Sequence, residues 1–171
     1  MSKIVSFILP FASVLFLFSC RTNYCNNTFI SPVFVGFSSK DLDTIVIRKF
    51  KPGTNFQIIE DSSVVFATDT GRAAPHLYTS NDTTIVILSD YMQIPKYLLP
   101  GKDWQVYLPS TNLTISLSNI VSPQLGSNTC FGDCMGCTNP INSIALNGQV
   151  IQPVPGRVPV WGGDCYFVYI H

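Results

Sequence analysis

The composition and the spacing of apolar residues predict an all-β fold, a single β-sandwich of immunoglobulin-like architecture, with a small β-barrel as the alternative. Three observations carry this expectation. Charged residues are only 12% of the 171-residue chain and Glu60 is its one glutamate, so the residues that build solvent-exposed helix faces are scarce. β-Branched and aromatic residues, which suit a pleated and half-buried surface, are abundant. Short apolar alternations recur between Gly, Pro and Asn turn signals, the rhythm of a sandwich or barrel.

The first element is not part of that fold. Residues 1 to 20 read MSKIVSFILPFASVLFLFSC, a single Lys3 followed by an apolar stretch from Ile4 to Phe18. At about 15 residues this stretch is shorter than the roughly 20 that cross a hydrocarbon core, and it reads as an export signal. It ends in Leu17-Phe18-Ser19-Cys20, which resembles the lipobox of bacterial lipoproteins. The resemblance implies removal of residues 1–19 as a lipoprotein signal peptide and attachment of lipid, palmitate among the acyl chains, to Cys20. On the residues alone two other readings stand beside it: an ordinary signal peptide whose Cys20 enters a disulfide, or an N-terminal membrane helix. Arg21, Thr22 and Asn23 follow the cysteine without an aspartate. By similarity to lipoprotein sorting rules this implies an outer-membrane protein facing the periplasm.

Residues 20–28 are expected to be a lipidated tether and residues 29–171 the sandwich domain, a length that buries roughly 70% of the unfolded chain's surface. Pro32 predicts a strand start or an edge. Ser38 to Asp41 can form a single turn with Ser38 as its cap. Thr44 to Phe50 alternates, with Ile45 and Ile47 on one face and Arg48 on the other. Lys51-Pro52-Gly53 marks a turn, and strand candidates follow at Phe56–Ile59, Val64–Ala67 and Thr83–Leu88. Residues 89–103, with Pro95, Pro100 and Gly101, read as a connection with one helical turn near Tyr91.

The clearest hairpin sets Trp104, Val106 and Leu108 against Leu113, Ile115 and Leu117, with the turn at Pro109–Asn112. Residues 121–143 are rich in Gly, Asn and Cys. Asn147-Gly148 is the dipeptide of a type I′ turn, and Tyr166–Ile170 is the expected last strand. Ser31–Phe50, Asp103-Trp104-Gln105-Val106-Tyr107, Asn119-Ile120-Val121-Ser122-Pro123 and Asn139-Pro140-Ile141-Asn142-Ser143 together resemble a family of small uncharacterised lipoproteins of Bacteroidota-type bacteria. That resemblance implies an envelope address and no particular chemistry.

Beyond Cys20 the chain carries Cys25, Cys130, Cys134, Cys137 and Cys165. If Cys20 bears lipid, five remain, and an oxidising envelope favours two disulfides among them. The Cys130-Phe-Gly-Asp-Cys134-Met-Gly-Cys137 spacing could also wrap three thiolates around zinc or iron with Cys25 or Cys165 as fourth ligand. Cys134-Met-Gly-Cys137 by itself has the spacing of a redox dithiol. A bridge from Cys165 to the cluster is the expected pairing of the last strand.

Other chemistry is thinly represented. Lys plus Arg and Asp plus Glu are ten each, so no basic field for nucleic acid exists. No phosphate loop, H-E-x-x-H or G-x-S-x-G sequence occurs. The two histidines, His76 and His171, give no hydrolytic arrangement by spacing, and Asp41, Asp43, Asp61 and Asp69 read as turn formers and caps rather than a glycosidase pair. Trp104 alternates in phase with core residues, whereas Trp161, beside Gly162-Gly163, is the candidate ligand-stacking side chain. The expectation is a non-catalytic, lipid-anchored structural or binding module with no cofactor. Its partners would be the membrane through its lipid and an unspecified protein or glycan. The alternative is a metal-binding or thiol-redox protein built on Cys130, Cys134 and Cys137.

Overall fold

Alternation around Trp104 builds the larger of two sheets. In the computed structural model the described residues are 22–66, 76–80, 83–87, 98–128, 138–157 and 164–171. Strands β8 (Asp103–Leu108) and β9 (Leu113–Val121) form the expected hairpin, with Trp104 opposite Leu117 and Val106 opposite Ile115. Those four side chains and Leu108 are buried, while the intervening Gln105, Tyr107, Thr114 and Ser116 reach solvent. Asn112, at φ 53°, closes the turn and donates its N–H to the Pro109 carbonyl. Asparagine tolerates this left-handed conformation better than most side chains.

On the other flank of β8 lies β4 (Thr44–Phe50), with Ile45 and Ile47 turned into the core. Its Arg48 stands on the opposite face, 5.3 Å over the Tyr107 ring, a cation–π contact. One strand, β5 (Ile59–Phe66), replaces the two expected at Phe56–Ile59 and Val64–Ala67. Phe56 lies in the preceding loop at φ 58°. The polar run Glu60–Ser63 continues the strand because β5 is the sheet edge and most of it faces water. Beyond β9, β12 (Ser143–Leu146) and β13 (Gln149–Ile151) form a hairpin through Asn147 and Gly148, at φ 49° and 83°, as a type I′ turn requires. The strand order is β13-β12-β9-β8-β4-β5.

The second sheet has the order β14-β15-β3-β7-β6, from β14 (Val154–Arg157), β15 (Asp164–Ile170), β3 (Phe29–Val35), β7 (Thr83–Ile87) and β6 (His76–Ser80). β3 and β15 run parallel, in register from Phe29 opposite Cys165 to Phe34 opposite Ile170. Pro32 is not at a strand start or an edge but inside this central strand. The β7 ladder engages only Val33–Val35, so the proline, which has no N–H to offer, lies outside it. β14 was hidden in the sequence by Pro155 and Gly156. A Cβ at Gly156 would overlap the Phe167 ring on β15, so glycine there gives the ring its resting place.

Ile30, Phe34, Val168 and Ile170 from this sheet share one apolar core with Ile45, Ile47, Trp104, Val106, Ile115, Leu117 and Ile144 from the larger sheet. The architecture is an all-β sandwich of two packed sheets without barrel closure or helix among the described residues. Among the described residues the two sheets hold six and five strands.

Both sheets belong to one compact unit, Asn27–Pro123 with Asn139–His171. The other unit is Met1–Asn26 with Gln124–Thr138. Within it β1 (Thr22–Tyr24) pairs antiparallel with β10 (Gly126–Asn128), and the Cys25 N–H donates to the Leu125 carbonyl. Two short strands, β2 (Asn26–Asn27) and β11 (Thr138–Asn139), pair with each other. The helical turn expected near Tyr91 lies outside the described residues.

Candidate functional site

Of the residues singled out by the sequence, Cys20, Cys130, Cys134, Cys137 and Trp161 lie outside the described residues. Cys25 and Cys165 are described, and they differ in chemistry. Cys25 is buried and disulfide-bonded. Cys165 is a thiol with 1% exposure. This overturns the expectation that Cys165 bridges to the cluster. The physical reason is its place in the sheet: β15 is flanked by β14 and β3, with Gly156 and Phe29 paired to Cys165 on either side, and the side chain is packed into the interior.

Trp104 is core, as its phase implied, and its indole N–H donates to the Leu99 carbonyl at 2.9 Å. His76 opens β6 opposite Ile87, and His171 is exposed at the end of the described chain. The carboxylates act locally. Asp41 accepts from both the Ser38 hydroxyl and the Ser38 N–H at 2.7 Å, and those bonds, the hydroxyl's first, hold its pKa below the ordinary aspartate value. Asp43 accepts from the Ser110 hydroxyl at 2.9 Å. Asp61, read from sequence as a turn former, is instead inside β5, facing Lys49 at 3.7 Å. Among the described residues no group of three or more His, Cys, Asp or Glu could hold a metal.

Sequence reading missed the organisation of one end of the sandwich, where the chain enters the larger unit. The Thr28 hydroxyl donates to the Asn139 carbonyl, the Ile30 N–H to the Leu98 carbonyl, and the Asn142 N–H to the Val121 carbonyl. Through the registers of β9, β8, β4 and β5, Val121 therefore shares this end with Asp103, Phe50 and Ile59. The opposite end carries Leu108, Leu113, Thr44 and Phe66.

At the entry end the β4–β5 loop is a built structure. Asp103, 6% exposed, accepts the Gly53 N–H at 3.1 Å. The Lys51 N–H donates to the Ile58 carbonyl, the Gln57 N–H to the Thr54 carbonyl, and the Thr54 hydroxyl to the Lys51 carbonyl. Phe56 turns inward, its ring edge-on to Phe50 at 5.4 Å. Lys102 pairs with Glu60 at 2.8 Å. The only sequence signal for this loop was Lys51-Pro52-Gly53, which marks a turn and says nothing of its bracing.

Comparison with known proteins finds no matching family model, no matching curated protein and no matching solved structure.

Proposed function

We propose that the protein is an envelope lipoprotein, held to a membrane by lipid on Cys20 and presenting its β-sandwich as a non-catalytic structural or binding module. It is read as a member of the small Bacteroidota-type lipoproteins it resembles, facing the periplasm from the outer membrane. The observation that carries this reading is Leu17-Phe18-Ser19-Cys20 at the close of an apolar run of export length. A single acyl chain binds a membrane only marginally, whereas several chains, at about 0.8 kcal/mol per buried CH₂, anchor a protein stably.

The test is Cys20→Ala. The wild-type chain is expected to incorporate labelled palmitate, lose residues 1–19 and fractionate with the outer membrane. The variant is expected to remain an unacylated precursor. Equal labelling of the two would refute the anchor. Elemental analysis of the purified chain separates the rival metal reading, which requires stoichiometric zinc or iron on Cys130, Cys134 and Cys137.

A further inference from the structure

We propose that Asn147 is a covalent modification site gated by the fold. In the closed β12–β13 hairpin the residue is kept as asparagine; when the hairpin opens, it loses ammonia and becomes isoaspartate or aspartate. This chemistry is independent of the lipid anchor.

The reaction is set by two consecutive residues. Asn147 precedes Gly148, and glycine has no Cβ to crowd its own nitrogen as the carboxamide approaches. Every other asparagine of the chain is followed by a residue with a side chain. The Gly148 nitrogen attacks Asn147 Cγ: a bond forms between them, the Cγ–Nδ2 bond breaks, and Nδ2 leaves as ammonia with the proton that Gly148 gives up. Water then opens the cyclic imide. Attack at Cγ gives aspartate and restores the main chain. Attack at the main-chain carbonyl carbon gives isoaspartate, whose backbone runs through Cγ and is longer by one carbon. Water is the sole co-reactant, and both Asn147 and Gly148 are exposed to it.

The tertiary structure supplies the gate. β12 pairs with β9 so that Leu146 lies opposite Leu117, which sets Ser116 beside Asn147 on the following rung. Half of that rung is main chain, the Asn147 N–H donating to the Ser116 carbonyl at 2.8 Å. The other half is not. At φ 49° the backbone of Asn147 turns away toward β13, and the Ser116 N–H donates instead to Asn147 Oδ1 at 2.8 Å. The carboxamide thus stands in for a strand carbonyl, a local substitution that suits asparagine at turns, and it satisfies a strand N–H that the turn would otherwise leave without a ladder partner. Closing the imide rotates the carboxamide about Cβ–Cγ and carries this oxygen off Ser116. The reaction therefore waits for the hairpin to open. β13 is the edge of its sheet, whereas β9 lies inside it, so the opening is local and leaves the centre of the sheet paired.

The two products differ in what they allow afterwards. Aspartate keeps an oxygen where the Ser116 N–H can reach it. Isoaspartate inserts a carbon into a turn that closes with Leu146 opposite Gln149, so β13 no longer returns in register. Opening of the edge hairpin is thereby converted from a reversible fluctuation into a permanent change.

The experiment incubates the full chain in mildly alkaline buffer, native or unfolded in guanidinium, and follows aspartate and isoaspartate at position 147 by peptide mapping with electron-transfer fragmentation. Conversion is expected to be slower in the native chain by about tenfold or more, because only the open fraction reacts. Equal rates in the two states, or no conversion in guanidinium, overturn the proposal. Asn147→Gly tests the gate itself, since glycine accepts the left-handed turn and removes the carboxamide. Hydrogen exchange of the Ser116 amide is expected to accelerate about tenfold or more in Asn147→Gly and to stay near the wild-type rate in Asn147→Asp. Ser116 exchange unchanged by Asn147→Gly would show that the carboxamide holds nothing closed, and the gate would be refuted.

Discussion

Replacing Leu117 with alanine tests whether the two sheets share a single load of packing. Leu117 has no exposed surface, lies opposite Trp104 on β9, and belongs to the core that joins the sheets. Alanine removes three carbon atoms from a site walled by β-strand backbone and by an indole tied to the Leu99 carbonyl, so collapse into the gap is restricted. Buried leucine-to-alanine changes cost about 2–5 kcal/mol, more where the cavity persists, and this setting argues for about 3–4 kcal/mol. For a domain of this size each kcal/mol lowers the melting temperature by roughly 2–4 °C, which gives a drop of roughly 6–16 °C. The assay is thermal unfolding followed by near-ultraviolet circular dichroism on the detergent-solubilised chain, with Val64→Ala on the exposed side of β5 as control. A fall in the Leu117→Ala variant no larger than the control's would refute the shared core.

Other outcomes follow from particular contacts. Gly156→Ala places a methyl group against the Phe167 ring and is expected to cost about 1–3 kcal/mol; adding Phe167→Ala should reduce that penalty, and an additive double mutant would show that the two do not touch. Ser38→Ala removes the main cause of the lowered Asp41 pKa, so carbon-13 titration should show the Asp41 carboxyl moving up toward the ordinary value. Because its folded pKa is depressed, the stabilisation linked to Asp41 is present above the unfolded aspartate pKa and is lost as pH falls through the folded one. The Cys165 thiol should react with iodoacetamide on the order of 100-fold faster in guanidinium than in the native chain, and peptide mapping that finds it alkylated natively would contradict its burial.

How much was legible follows the kind of signal. Local rules held where a few residues decide: the Trp104–Leu117 hairpin from its alternation, the Asn147-Gly148 turn from positive φ, the Ser38–Asp41 turn from its cap. They failed where a neighbour in space decided. Pro32 sits inside a central strand because the β7 ladder does not reach it. β5 crosses a polar run because it is an edge, and β14 survives Pro155 and Gly156 because β15 pairs along all four residues.

The same division separates address from site. The proposed export and anchoring rest on consecutive residues, Leu17 to Cys20, a pattern that is read without reference to the fold. The all-β class was likewise fixed by composition, because a chain with one glutamate and so many β-branched side chains has little material for helix surfaces. Only the tertiary structure decided that Cys165 is a buried thiol, and that Ile58, Ile59 and Val121 share the end where the chain enters the sandwich. These are facts of register and long-range pairing, which join residues dozens of positions apart, and no local pattern in the chain encodes them.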